Sequence, residues 1–475
     1  MRLSFTLRRL LLPAALVGVA AAASTLSAAP DGAPAVSRPA APARLNVVLI
    51  LSDDQRYDVN GRMPNVERLL AAHGITFARA FVTTSECCPS RAGILTGQYS
   101  HHNGVVQNFG LKSYPAFDTR SNLAVWLHGA GYDTALVGKY LNDYTAYGHH
   151  RVDPGWSDWQ VIDSKPEERY YDYVLNENGR QVFYGAAPQD YSTTVLTRKA
   201  LDFLEGAKAP FFLYFAPTAP HLPATPAPRD VGTIPAPPAP DRPSFNERDL
   251  SDKPWARDHP HRLGPGAIRY LDHDIRELQL ESLRALDRSV ASIVRVLRRR
   301  GELDRTVILY MSDNGFLWGE HRLGGKIWPY EESIRVPLVV RTPWRNVWGT
   351  VDRHLVLNID LASTIAQLAG VRPGLPQDGR SLVPLLHGRR PPWRNEFVVE
   401  YLGASELRAG GPPPFRGLRT ERYLYVEYLN GWRELYDLRH DPWELQNVAD
   451  APAYAGTRAQ LHARLLRLFR QPAGR

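Results

Sequence analysis

Two stretches of this sequence, "LNVVLILSDDQ" at 45–55 and "TVILYMSDNG" at 306–315, share one design, an unbroken apolar run that ends in acid and amide side chains. A run without polar alternation is buried on both faces, the pattern of a central strand in a sheet covered by helices on either side. In such sheets the carboxyl ends of the strands open on one crevice, so Asp53 and Asp54 are expected to meet Asp313 and Asn314 there. Four hard oxygen donors suit Ca²⁺ or Mg²⁺ better than zinc, which recruits imidazole or thiolate. Taken alone, each pair reads equally well as a cap on the turn or helix that follows it.

The sequence around these runs alternates helix and strand signals. A helix is expected in "MPNVERLLAAHG", closed by Gly74, then a strand near "ITFARAFVT" and a short helix "PSRAGILTG" with proline in its first turn and Gly97 at its end. Further helix and strand candidates are "SNLAVWLHGAG", "YDTALVGK", "TTVLTRKALDFLEG" and "PFFLYFAP". That alternation predicts an α/β sheet with helices on both faces. Leu283, Leu286, Val290, Ile293 and Leu297 recur at spacings of three and four and form one apolar stripe of a long helix. Residues 217–266, crowded with proline, read as a long surface excursion of the kind that shapes substrate choice. The large unit is expected to span 45–370 and end on the helix "IDLASTIAQLAG". A linker rich in Pro, Gly and Arg follows at 371–395. The remainder, 396–475, reads as a small α+β unit with an antiparallel sheet and a final amphipathic helix "TRAQLHARLLRLFR".

At the other end, Arg2, Arg8 and Arg9 precede the apolar run "LLLPAALVGVAAAA", the layout of a secretory signal peptide over 1–29. The run is short for a bilayer span and is broken by Pro13, so no stable membrane insertion is expected after cleavage. Arg8-Arg9 also fits a twin-arginine export signal loosely, and the route stays open. The Ala/Pro-rich stretch 30–44 reads as a linker. The destination is then outside the cytoplasm: secreted, periplasmic or in the cell envelope. The formal charge of +8 is nearly all arginine and is spread out apart from "RVLRRRG" at 295–301. That run reads as the solvated end of a helix rather than a nucleic-acid contact, and a mildly basic surface suits an anionic substrate.

The chain has only two cysteines, Cys87 and Cys88, side by side. Adjacent Cα atoms lie about 3.8 Å apart, against roughly 4.4–6.8 Å in a relaxed disulfide, so a stabilising cross-link is excluded. Two buried small hydrophobes or a strained redox pair remain, and neither explains the Pro89-Ser90-Arg91 that follows. The run "CCPSRAGILTG" resembles the signature of the formylglycine-dependent sulfatases, Cys-x-Pro-Ser-Arg followed by Thr-Gly, here with Thr96-Gly97. The resemblance extends through "LILSDDQ", "VGKYLND", "APHLP", "MSDNGFLWGEHRLGGK", "YEESIRVPLVV" and "ELYDLRHDPWELQN". Within the family, the Cys-Cys form, "GKYLND" and "YYDYVLNENG" are most similar to N-acetylglucosamine-6-sulfatases.

The resemblance implies an alkaline-phosphatase-like central mixed sheet with helices on both faces. It implies that a formylglycine-generating enzyme acts on residues 87–91 and oxidises Cys87 to an aldehyde whose hydrate is the nucleophile. Cys88 would be a bystander. Asp53, Asp54, Asp313, Asn314 and modified Cys87 would bind a divalent cation, usually Ca²⁺, with Mg²⁺ the alternative. Arg91 would orient the hydrate, Asp313 would also act as base, Lys139 and Lys326 would hold the sulfate, and His221 would stand near the leaving oxygen. His321 is a further candidate for binding substrate. In one place the sequence departs from the pattern: many arylsulfatases have histidine two residues after the lysine matching Lys139, and here the position is Leu141, followed by Asn142. The activity implied is hydrolysis of a sulfate ester on a sugar. The rival readings are a phosphoesterase or phosphonate monoester hydrolase of the same superfamily, and a non-catalytic glycan-binding protein.

Overall fold

Asn46–Ser52 and Thr306–Ser312 are neighbouring parallel strands, paired in register from Asn46 with Thr306 to Ser52 with Ser312. Phe211–Ala216 lies parallel on the other side of the first strand, followed by Asp133–Gly138 and then Asp158–Ile162, both also parallel. These five strands form the centre of a ten-stranded sheet. Leu338–Arg341 adds antiparallel beside Thr306–Ser312, and Gly74–Phe77 and Thr350–Asp352 complete that edge. The hairpin of Tyr173–Glu177 and Arg180–Tyr184 forms the opposite edge. The sheet is therefore mixed, as the resemblance implied. The computed structural model describes residues 44–234, 242–256, 261–403 and 410–474, so the expected signal peptide and nearly all of the 30–44 linker lie outside the described residues.

Side chains alternate between the two faces of the central strand, and each face has its own core. Val47, Leu49 and Leu51 pack with Ala92, Ile94 and Leu95 of the helix Cys87–Thr96 and with Leu123, Leu127, Leu361 and Ile365 of two further helices. Val48 and Ile50 pack on the other side with Val195 and Leu196 of Ser192–Gly206. The same core takes in Leu283, Leu286, Val290, Ile293 and Leu297 of Leu278–Arg299. Truncating any one of these buried aliphatics to alanine costs about 2–5 kcal/mol. The strand ends that carry the acids are thus clamped from both sides. Arg298 and Arg299 stand exposed at the end of the long helix, where the arginine run was expected to be solvated.

Beyond it, Glu396–Tyr401, Phe415–Thr420, Tyr423–Tyr428 and Arg433–Asp437 form a separate four-stranded antiparallel sheet. One face of its first strand, through Phe397, Val399 and Tyr401, shares the core with the large sheet. The opposite face, through Val398, packs with Leu461 and Leu465 of the final helix Ala455–Phe469. Among the described residues no helix is long and apolar enough to cross a membrane.

One expected helix takes another form. "MPNVERLLAAHG" winds as a wide turn over Val66–Leu70 and a tight one over Ala71–His73, and Gly74, whose N–H donates to the Ala71 carbonyl, both closes that turn as expected and opens the next strand. The glycine is required by close approach, since a Cβ there would lie 2.0 Å from the Val340 carbonyl oxygen.

Candidate active site

Four parallel strands deliver polar side chains at their carboxyl ends. Asp53 and Asp54 follow Asn46–Ser52, Asp313 and Asn314 follow Thr306–Ser312, Lys139 follows Asp133–Gly138, and His221 lies in the turn after Phe211–Ala216. Lys139 is set by the backbone next to it: Gly138, at φ +122°, lies so close to its neighbour that a Cβ would be 2.1 Å from the Ala216 carbonyl oxygen, which accepts the Lys139 N–H at 2.8 Å. Facing these ends is the first turn of Cys87–Thr96, with Cys87 at its opening and Arg91 one turn on.

The side chains interlock. Cys87 Sγ lies 3.4 Å from Asp53 Oδ1 and 2.7 Å from Lys326 Nζ, and Lys326 also pairs with Asp54. Lys139 Nζ is 2.7 Å from Asp53 Oδ2. Arg91 donates to Asp313 Oδ2 at 2.8 Å and to the Lys139 carbonyl at 2.7 Å, and its second terminal nitrogen lies 3.3 Å from Asp53. His221 Nδ1 is 2.7 Å from the Leu222 carbonyl oxygen, which only accepts, so Nδ1 carries the proton and Nε2 faces Asp54 Oδ2 at 3.5 Å. The cluster is buried, and only Lys326 and His221 keep side-chain edges open, 14% and 20% exposed. A cavity of about 250 Å³ borders Lys326, with Asn108 and Trp328 in its wall.

Burial opposes charge on each of these groups, and the pairings decide the outcome. Burial pushes Asp53 up, but Lys139, His221, Arg91 and Lys326 together outweigh it and hold the carboxyl well below its usual range. Both lysines are kept protonated, well above the ordinary amine value, because Asp53 and Asp54 overcome their burial. Asp313 is raised by burial and then by the charge of Asp53, in spite of Arg91. Burial also pushes the Cys87 thiol well up, Asp53 adds to it, and the two lysines do not reverse it. A thiol held neutral is a poor nucleophile, so this pocket does not activate Cys87 as a cysteine.

Asp53, Asp54, Cys87 and His221 each present a donor atom within 4.8 Å of the others, a possible metal-binding cluster. Asn314 donates its amide to Asp54 Oδ1 at 2.6 Å, and its own Oδ1 is buried without a hydrogen-bond partner. An acceptor oxygen left over beside two carboxylates fits a hard divalent cation. The Lys326 ammonium serves some of the same oxygens.

The profile of the Sulfatase family matches residues 45–371, and that of the "N-sulphoglucosamine sulphohydrolase, C-terminal" family matches 319–471. The chain belongs to the sulfatase family. The sulfatase is 37% identical over 377 residues to N-acetylglucosamine-6-sulfatase of Homo sapiens, covering 76% of this chain and 68% of that one. It is 34% identical to an extracellular sulfatase homologue of Drosophila melanogaster, covering 76% of this chain and 33% of that protein. Among solved structures it is similar to one in complex with its substrate D-glucosamine-2-N,6-O-disulfate, with TM-score 0.71, 25% identity, and 89% and 97% of the two chains covered. It is also similar to the phosphonate monoester hydrolase of Agrobacterium radiobacter, with TM-score 0.73, 25% identity, and 90% and 95% covered.

Nine of the ten residues singled out in the sulfatase's sequence, all but His321, lie in this one network. His321 belongs to a different cluster, with Nδ1 2.6 Å from Glu247 and its ring against Tyr330. Cys88 is core: its sulfur contacts the Asn142 carbonyl at 3.8 Å, and the Asn142 side-chain oxygen has no partner. Leu141 is buried core as well. Sequence reading missed Glu168, whose Oε1 lies 2.8 Å from Lys139 Nζ. Burial pushes its carboxyl up, but Lys139 and then His221 bring it down to about 2. The signal available was an acid pair, Glu167-Glu168, separated only by Arg169 from the "YYDYVLNENG" stretch.

Proposed function

We propose that this sulfatase is an exported hydrolase of sulfate esters on amino sugars, of the N-acetylglucosamine 6-sulfate class. It would act through Cys87 oxidised to formylglycine and a divalent cation, Ca²⁺ or Mg²⁺, held by Asp53, Asp54, Asp313, Asn314 and the converted residue. The observation that carries this reading is the neutral, deeply buried Cys87 thiol inside a cage of cations. The two lysines beside residue 87 suit an anionic substrate, and burial pushes the thiol well above its usual range, which supports a different group at that position. Formylglycine supplies, as its hydrate, two oxygens on one carbon, one to attack sulfur and one to expel the sulfate.

The chain's own residues have defined tasks. Lys139 and Lys326, both charged, draw the sulfate oxygens into the site and neutralise them as charge builds. A divalent cation held by Asp53, Asp54, Asp313 and Asn314 would supply Lewis-acid polarisation. Arg91, tied to Asp313 and to the Lys139 carbonyl, fixes the position of residue 87. Asp313, raised toward neutrality, is suited to take a proton from it. His221 Nε2, on the side of Asp54, is placed to return a proton to the leaving sugar oxygen. The cavity beside Lys326, walled by Trp328 and Asn108, would hold the sugar. Because Cys87 is buried in a packed helix turn, the formylglycine-generating enzyme would need residues 87–91 before the chain folds.

The test is the mass of the peptide 80–91 from protein made in its own host, combined with sulfate release from N-acetylglucosamine 6-sulfate. Loss of the Cys87 sulfur with gain of a carbonyl oxygen, together with turnover, is the expected result. A plain thiol in an active enzyme would refute the formylglycine step. A second reading follows from the phosphonate monoester hydrolase likeness: the same cage accepts a tetrahedral phosphoryl group. Comparing turnover of aryl sulfate with that of an aryl phosphonate monoester separates the two.

A further inference from the structure

A second buried cluster lies outside the site just described. One donor atom each from His321, Glu332 and Glu444 lies within 4.8 Å of the others. The three come from separate elements: His321 from the tight turn after Leu317–Trp318, Glu332 from the short helix Glu331–Ile334, and Glu444 from the segment after the C-terminal sheet. All three are buried, none more than 4% exposed. His321 Nδ1 is held 2.6 Å from Glu247 Oε2, and Glu247 is itself paired with Lys253. A carboxylate partner makes Nδ1 the donor and leaves a lone pair on Nε2, which is buried with no hydrogen-bond partner. Glu444 accepts the Glu331 N–H through Oε2 at 3.2 Å, and its Oε1 is likewise buried with no partner. Glu332 is met on one side by Arg242 at 3.2 Å.

The nitrogen lone pair and the two carboxyl groups bring three metal-ligating atoms together in a sealed space, with Arg242 meeting Glu332 from one side. A single water has two hydrogens for three such groups, whereas a cation satisfies all three at once. One imidazole and two carboxylates are a donor set for a borderline transition metal rather than for Ca²⁺. The Glu247 contact is the second feature of such sites, an outer carboxylate that fixes the tautomer and the direction of the ligating ring.

We propose that His321 Nε2, Glu332 and Glu444 bind a divalent transition-metal ion, with Zn²⁺ the type. The site is structural and separate from the one at Cys87. It clips the turn that leads to Lys326, the helix at 331–334 and the C-terminal segment to one another. His321 is thereby assigned to a metal instead of to the substrate.

The test uses the full chain, freed of metal and then given Ca²⁺ and one equivalent of Zn²⁺, with elemental analysis after removal of unbound ions. Zn²⁺ should be retained at one per chain in the unaltered protein and in Asp53→Asn/Asp54→Asn, and lost from His321→Ala and Glu444→Gln. X-ray absorption at the zinc edge of the unaltered protein, which needs no variant to fold, should show imidazole and oxygen ligands and no sulfur. Zinc that is not retained, zinc lost with the aspartate pair, or a zinc shell without imidazole each overturns the proposal.

Discussion

The stretch 313–334 contributes to two buried charged clusters, to one through Asp313, Asn314 and Lys326 and to the other through His321 and Glu332, and they are built on opposite plans. Around Cys87, the carboxylates of Asp53, Asp54 and Asp313 are answered by Lys139, Lys326 and Arg91, one cationic edge, Lys326, stays open beside a cavity, and the His221 ring is also partly exposed. Around His321, one imidazole and two carboxyl groups converge, the groups are sealed, and each comes from a different element. A cluster with matched charge and an open cationic edge is preorganised for an anion that enters and leaves. A sealed cluster is instead suited to hold segments together. The difference teaches that burial alone does not mark a catalytic group. What separates the clusters is that one opens a cationic edge to a cavity and the other is closed.

The comparison breaks most visibly at Cys87. Cys87→Ser should lower steady-state turnover on the order of 10³-fold or more, because serine offers one oxygen and no internal route to release sulfate. A rapid-quench experiment should then show a burst of at most about one sugar product per chain. Sustained multiple turnover by this variant would show that the second oxygen is not needed. The next contrast sets Lys326→Ala against Glu444→Gln. Lys326→Ala should cut kcat/KM by about 10²–10³-fold, as expected when a donor to developing charge is removed, with little change in unfolding midpoint. Glu444→Gln should do the reverse, costing about 1–3 kcal/mol of stability in urea titration while kcat/KM stays within a few-fold. Equal loss of activity in both variants would collapse the distinction between the clusters.

How much of this was legible in the sequence follows the same division. The central strands were legible because burial on both faces leaves an unbroken apolar run, and their acids sit at positions fixed by strand direction. Residues 87–91 were legible through the resemblance of Cys-x-Pro-Ser-Arg to the sulfatase signature, and the structure puts them in one helix turn. The region before Gly74 was legible as helical and as closed by that glycine, but its change of winding, wide over Val66–Leu70 and tight over Ala71–His73, leaves no mark in the apolar spacing. The His321 cluster was not legible, since its parts at 247, 321, 332 and 444 are joined only by tertiary packing. Glu168 was missed for the same reason: it belongs to no periodic element, and only the approach of the Tyr173–Glu177 hairpin to the strand ends brings it to Lys139.

Glu168 is also the group that blurs the comparison, being an acid at the edge of the Cys87 cluster, 12% exposed and 2.8 Å from Lys139 Nζ. Its carboxyl is held down at about 2, so its contribution is fully present above the ordinary glutamate value and is lost as pH falls through the folded value. The urea-unfolding gap between the unaltered protein and Glu168→Gln should therefore be flat above about pH 4.5 and shrink as pH is lowered toward 3. A gap that widened on acidification would mean that the pair does not hold Glu168 ionised. In catalysis the substitution should split the constants. Removing a negative charge beside the sulfate should lower KM, while loss of one of the two anchors of Lys139 should lower kcat, each by about 5-fold or less for a partly exposed pair worth about 1 kcal/mol. A carboxylate that merely filled space would leave both constants where they were, so a glutamine variant with unchanged KM and kcat would return Glu168 to the scaffold.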